Sequence, residues 1–339
     1  MKTTLKITAI AFTCSVFAAS FSLPVMAADA AVAAARITFD GQIKNNSLAL
    51  SPDESTAVVS YSERPDVVVY DLAKESVRGV LHHYVTPRNI VFAPDGKSFY
   101  VSDSSQGEVT KVDTEKLTML AHLSAGPGAF GTALSKDGSK LYVNNQATST
   151  VTRFDTASNQ ARAVITGFAQ PRQGVRLSPD GSKLYVTNFL GDKVTIVDTQ
   201  TDKIEGEITG FSKIRAISVT ADGKTMFAAN SGTNNIAVVD TTKREILSTV
   251  PVGKDPYGAA LTPDGRFVYS GNLADNSVSV INVDTLKVVA TITGFKQPRQ
   301  AIVFTRDGKL AYVLNEDLSV SKVDRASQKI VGTLASPAL

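Results

Sequence analysis

One phrase recurs along this chain at an almost fixed interval. It reads S-P-D-G or a near relative: "SPDE", "APDG", "SKDG", "SPDG", "TADG", "TPDG" and "TRDG". Its aspartates are Asp53, Asp95, Asp137, Asp180, Asp222, Asp264 and Asp307, spaced by 42, 42, 43, 42, 42 and 43 residues. A second column keeps the same time: Asp71, Asp113, Asp155, Asp198, Asp240, Asn282 and Asp324. Two columns in step over seven units mean seven copies of one structural unit.

The stretch 173–209 shows what the unit is. "GVRLS", "KLYVTN", "KVTIVD" and "KIEGEIT" are separated by "PDG", "FLGD" and "TQTD". Val, Ile, Thr and Tyr favour strands, while Gly, Pro, Asp and Asn favour turns, so the unit is four strands, a to d, in a meander. One such sheet cannot cover both of its faces. Seven packed radially cover one another and shield their edges. The fold class is therefore all-β: a seven-bladed β-propeller of four-stranded antiparallel blades, closed by N- and C-terminal strands. Both "RITFDG" (36–41) and "QKIVGTL" (328–334) look like a fourth strand for the closing blade. The N-terminal segment is expected to complete that blade or add to its edge.

Residues 1–27 read as a secretory signal. Lys2 and Lys6 precede the apolar run "ITAIAFTCSVFAASFSL", and "VMA" before "ADA" offers a small-residue cleavage site after Ala27. Residues 28–35 are a short leader and 36–339 the single propeller domain. The expected location is periplasmic or secreted, with no retained membrane anchor. Cys14 is the only cysteine and lies in the signal, so the mature chain has no thiol, which suits an oxidising compartment. Losing Lys2 and Lys6 takes the 35 Lys+Arg to 33 against 32 Asp+Glu, a net charge of +1. Bulk charge thus gives no reason to expect a nucleic-acid or membrane surface; only a local concentration of cations could.

The strand-b phrases "LYVNN" and "LYVTN" resemble the YVTN-repeat propellers of bacteria, over roughly residues 37–334. With the export signal, the chain is similar to YncE-like periplasmic propellers, and that resemblance implies single-stranded DNA as a partner. It has no short motif that transfers residue by residue, so no DNA-contact residue follows from it. The absence of Trp and the near-neutral charge do not favour a base-stacking surface.

A second phrase is rarer: "GFAQPRQ" at 167–173, "GFSKIR" at 210–215 and "GFKQPRQ" at 294–300. Each links a strand d to the next strand a. In a propeller these links open on one face, beside the channel that the a strands line. They bring Arg172, Arg215 and Arg299 to the channel mouth, with Gln173 and Gln300. "TPRN" adds Arg88, and the other blades offer Phe130, Tyr257 and the "KNN" of 44–46. Lys213, Lys254 and Lys296 lie close by in sequence. Arginine's planar fork suits phosphate or carboxylate. Such a ring could hold an anionic ligand or an acidic partner segment, or it could pair internally and be structural. Phe168, Phe211 and Phe295 are expected to pack beneath the loops. Arg176 stands out within strand a, where its column otherwise reads Ala49, Val91, Ala133, Ser218, Ala260 and Val303. It should enter the channel or pair with a carboxylate there.

Another column, Tyr61, Asp103, Asn145, Asn188, Asn230, Asn272 and Asn315, follows strand b and reads as turn chemistry. Catalytic signals are scarce. His82, His83 and His122 fall on outer strands, and there is no H-E-x-x-H and no P-loop. No catalytic residue, metal ligand or cofactor is assigned. The leading reading is an exported, non-enzymatic binding propeller. The alternatives are a scaffold for protein or cell wall, and a lactonase- or lyase-like enzyme pairing Asp103 or Glu316 with Arg88 or Arg299.

Overall fold

A computed structural model describes residues 44–188 and 190–337, and for Gln173 the backbone alone. The export signal, the leader and the 36–41 segment fall outside the described residues. The described chain is all β: seven four-stranded sheets, each a meander of consecutive antiparallel strands. In the fourth blade, expected at 173–209, the strands are Pro171–Leu177, Lys183–Asn188, Val194–Asp198 and Lys203–Ile208.

The burial pattern explains why the sheets need one another. Strands b and c are buried on both faces: Thr56–Tyr61 and Ser98–Asp103 are buried throughout. Strand d alternates, as in Lys203–Ile208, because its outer face meets solvent. Apolar side chains gather into seven clusters, each shared by two neighbouring blades. Tyr142 and Val151 of the third blade pack with Phe168, Val175 and Leu184 of the fourth. Leu48 and Tyr70 of the first pack with Tyr312, Leu314 and Val320 of the seventh, which closes the ring. Between strands c and d the register slips once in every blade, for example at Ile196/Val197 and Val238/Val239. A bulge there adds twist, as radial packing requires.

Closure differs from the expectation in one respect. The fourth strand of the last blade is the C-terminal Lys329–Leu334, so the N-terminal segment is not needed to complete it. The seam is held instead by cores and cross-blade bonds. Tyr70 donates to the Leu318 carbonyl at 2.7 Å, and Lys322 pairs with Glu75 at 2.7 Å.

The seven a strands stand side by side around the axis. The short ones, Ala260–Leu261 and Ile302–Phe304, belong to the last two blades. The longer spacing of the "QPRQ" loop has a visible cause in the fourth blade. Pro171 and Val175 are four positions apart where their strand-b partners, Asn188 and Val186, are two apart. In the fifth blade Ile214 and Ile217 are only three positions apart over the same two-position span, Asn230 to Ala228.

Candidate functional site

The repeated phrase divides its work among its residues. Gly167, Gly210 and Gly294 have φ of 100, 93 and 97°, a region that side chains rarely adopt. This turn drops the next residue inward, and Phe168, Phe211 and Phe295 are buried in three inter-blade cores, as expected. The loop is then tied to the end of strand b. Asn188, Asn230 and Asn315 accept from the backbone N–H of Ala169, Ser212 and Lys296 at 2.8, 3.3 and 2.8 Å. Asp103 does more, accepting four backbone N–H groups, from Val85, Thr86, Ser105 and Gln106. In these four blades the column staples the d–a loop to the end of strand b, whereas the Asn145 and Asn272 side chains bond only within their own b–c hairpin, as turn chemistry would have it. With its oxygens so engaged, Asp103 is not placed to act as a catalytic base beside Arg88.

The phrase ends on its arginine. Arg172, Arg215 and Arg299 join Asn45, Arg88, Phe130 and Tyr257, so one residue from each blade forms a ring at the channel mouth. Several neighbours in the ring touch. Arg88 donates from Nη1 to Asn45 Oδ1 at 2.7 Å and from Nε to Ser104 Oγ at 2.8 Å, and its guanidinium lies 4.5 Å from the Phe130 centroid. Tyr257 sits between two cations, with Arg215 at 4.4 Å and Arg299 at 5.0 Å from its centroid. Arg215 Nε donates to Ser231 Oγ at 2.9 Å, and Arg299 Nη1 to the Lys44 carbonyl at 3.0 Å. Arg88, Arg172 and Arg299 are buried and Arg215 is half-buried. The arginines are thus largely built into the rim, and their attraction to ring faces helps fix them.

Gln300 also turns inward, but its Nε2 donates to the Asn46 carbonyl at 2.6 Å across the seam. The side chain of Gln173 lies outside the described residues. Lys296 is committed to Asp317 at 2.6 Å, while Lys213 and Lys254 are exposed. His82 and His122 form surface pairs with Asp66 and Glu108 at 2.7 and 3.0 Å, and neither lines the cavity below the ring. Among the described residues no group of three His, Cys, Asp or Glu side chains is arranged to hold a metal ion.

Beneath the ring lies a cavity of about 170 Å³. Its cations are Arg172, Arg176 and Arg215, and no His, Asp or Glu is among its described lining residues. Of the two expectations for Arg176, entry into the channel or pairing with a carboxylate, the structure shows the first. Among the described residues no acidic group lies within ion-pair distance of Arg176, Arg215 or Arg299. Arg176 Nη1 donates to the Val175 carbonyl at 2.8 Å. Water reaches the side chain inside the cavity, yet protein walls surround it. That desolvation pushes the pKa of its guanidinium down from the ordinary value, with no counter-charge to offset it. Arginine keeps its proton all the same. Arg215 Nη1 is a buried donor with no acceptor in the structure. Two cationic donors therefore face, or border, one small uncommitted space.

The sequence profile of the family described as "Lactonase, 7-bladed beta-propeller" matches residues 46–209 and 197–300. The chain belongs to this family. No curated protein matches it. Among solved structures it is similar to Hydrazine Synthase of Kuenenia stuttgartiensis, with 21% identity and a TM-score of 0.75. That match covers 82% of this chain and 95% of the other. At that identity the likeness shows the fold alone.

Proposed function

We propose that this propeller is an exported binding protein that takes a small anionic ligand into the cavity beneath the arginine ring. Arg176 is the main charge contact, and Arg215 and Arg172 border the mouth. The observation that carries this reading is Arg176 itself: a cation open to the space of the cavity, with only a backbone carbonyl as its acceptor and no described carboxylate beside it. An anion entering that space would supply both a counter-charge and acceptors.

Size narrows the ligand. Pockets for drug-sized molecules run to roughly 300–1,000 Å³. A cavity of about 170 Å³ suits a small acid, or the acidic end of something larger. Single-stranded DNA, the partner implied by a YncE-like identity, is less well served. Its bases need open aromatic faces. Here Tyr257 and Phe130 are buried and already covered by the ring's own arginines. Opening a lactone, the reaction in the family's name, needs a base or nucleophile positioned at the bond. The described lining supplies arginine, amides, hydroxyls and Tyr257, but no carboxylate or imidazole. A binding role fits that inventory better. Residues 1–27 would direct export, which places the ligand outside the cytoplasm.

The test is calorimetric titration of the protein with butyrate and with inorganic phosphate, beside Arg176→Met. The expected result is saturable binding that weakens with salt and falls about thirtyfold in the variant. A labelled single-stranded oligonucleotide, followed by anisotropy, is the control. If neither small anion binds while the oligonucleotide does, the cavity reading falls.

A further inference from the structure

The cavity is charged on one side only. Arg172 and Arg176 come from the fourth blade and Arg215 from the fifth. In a ring of seven, the boundary between those two blades faces the first blade across the channel. The lining there comes from the first, second and seventh blades, and its side chains are uncharged.

That far wall contains amides as well as apolar groups, and each amide nitrogen already donates within the protein. Asn45 Nδ2 donates to the Arg88 carbonyl at 2.9 Å, and Asn46 Nδ2 to the Leu314 carbonyl at 3.4 Å. Asn89 Nδ2 donates to the Thr132 carbonyl and hydroxyl at 3.2 and 2.7 Å. Gln300 Nε2 is likewise used across the seam. These amides stitch blade to blade. What the far wall leaves for a ligand is apolar surface, led by Val91 and Val303, which are only partly buried. Both stand in the strand-a column of Arg176, whose other members are Ala49, Ala133, Ser218 and Ala260. At that level the channel has one cation and six short, uncharged side chains.

We infer that the ligand is an amphiphilic monocarboxylate, with its carboxylate toward Arg176 and Arg215 and a short apolar body against Val91 and Val303. This rests on the anion-site reading above and goes beyond it by naming the chemical class. A compact polyvalent anion such as phosphate is the less suitable guest. It would turn charged oxygens toward a wall without a cation, whose amides are already bonded from blade to blade, and poorly compensated burial of charge is unfavourable. An apolar chain on that wall is favourable instead, by about fourfold in affinity for each methylene removed from water.

A homologous series tests this. The protein and its Val91→Thr/Val303→Thr variant would be titrated by calorimetry with acetate, butyrate, hexanoate and inorganic phosphate. Threonine keeps the shape of valine and adds a hydroxyl, so a melting curve near wild type is expected for the variant. Affinity should climb about fourfold per methylene from acetate until the cavity is full, with phosphate weakest. In the variant the climb should flatten while acetate is bound as before. If phosphate binds at least as tightly as butyrate and chain length has no effect, the anion site stands and the amphiphilic ligand is overturned. If no anion binds at all, the anion site falls and this inference with it.

Discussion

The two ends of the propeller use the same seven-fold frame in opposite ways. On the a–b turn face, the repeat is repeated chemistry. Ser51, Ser135, Ser178, Thr220, Thr262 and Thr305 each donate a hydroxyl to the aspartate two residues on, at 2.5 to 2.7 Å. All seven turn aspartates accept the backbone N–H two residues further on, including Asp95, which accepts from Lys97 N at 3.0 Å in the blade where Ala93 replaces the hydroxyl. On the channel-mouth face, the seven blades contribute Asn45, Arg88, Phe130, Arg172, Arg215, Tyr257 and Arg299, one from each. A turn must be made seven times and has one good solution. A mouth is made once, from seven separate contributions, and each blade is free to differ. Uniform columns therefore mark what the fold requires, and the column that breaks uniformity marks where a site can be built.

The comparison can be broken first at the rim. Arg88 bridges Asn45, Ser104 and Phe130, so Arg88→Ala should destabilise the protein by about 3 kcal/mol, through lost charged hydrogen bonds and a stranded Asn45. Urea unfolding would measure it. An unchanged midpoint would mean that the rim arginines are not structural. Arg176 should behave in the opposite manner. Arg176→Met removes a cation that has no described carboxylate partner, so its urea midpoint should stay near wild type, while butyrate binding weakens about thirtyfold, the equivalent of ~2 kcal/mol for a charged hydrogen bond. A variant that unfolds early and binds normally would reverse the assignment of the two arginines. Tyr257→Leu keeps the bulk between Arg215 and Arg299 and removes the π face. A loss of ~1 kcal/mol in stability is expected.

The turn face should answer to acid. Hydroxyl and backbone donors hold Asp137, Asp180 and Asp307 down to about 2, below the ordinary carboxylate value near 3.9. A depressed folded-state pKa gives stability that is complete above pH ~4 and lost as pH falls through about 2. Replacing the three by Asn should flatten the melting temperature across that window, with the largest difference from wild type at neutral pH. The groups are exposed, so the effect of each is small.

The fold was legible in the sequence because its determinants are local and repeated. The Asp column, the strand lengths and the Gly-Phe turn each recur in register, and repetition separates signal from accident. Closure was less legible: 36–41 and 328–334 have the same strand character, and only the position of Lys329–Leu334 beside its own blade assigns the fourth strand. The ring was legible residue by residue, since Arg88, Arg172, Arg215, Arg299 and Tyr257 follow from loop position alone. Their mutual contacts were not. Stacking of Arg215 on Tyr257, or the bond from Arg88 to Asn45, depends on which blade stands next around the axis and how each side chain turns. The same holds for Arg176. Its oddity was visible in its column, but that no described carboxylate meets it is a three-dimensional fact. The staple by which Asn188, Asn230 and Asn315 hold the loops was also hidden, because an Asn after a strand satisfies ordinary turn preference equally well.

The central claim is that an anion sits at Arg176 with its body turned to the uncharged wall. Crystals of the protein grown with 4-bromobenzoate would test it most directly, through the anomalous signal of bromine. The account predicts one bromine site in the cavity beside Val91 and Val303, with the carboxylate within hydrogen-bonding reach of Arg176. Bromine absent from the cavity at saturating ligand, or found beside Arg176 with the carboxylate turned to Val91 and Val303, would contradict it.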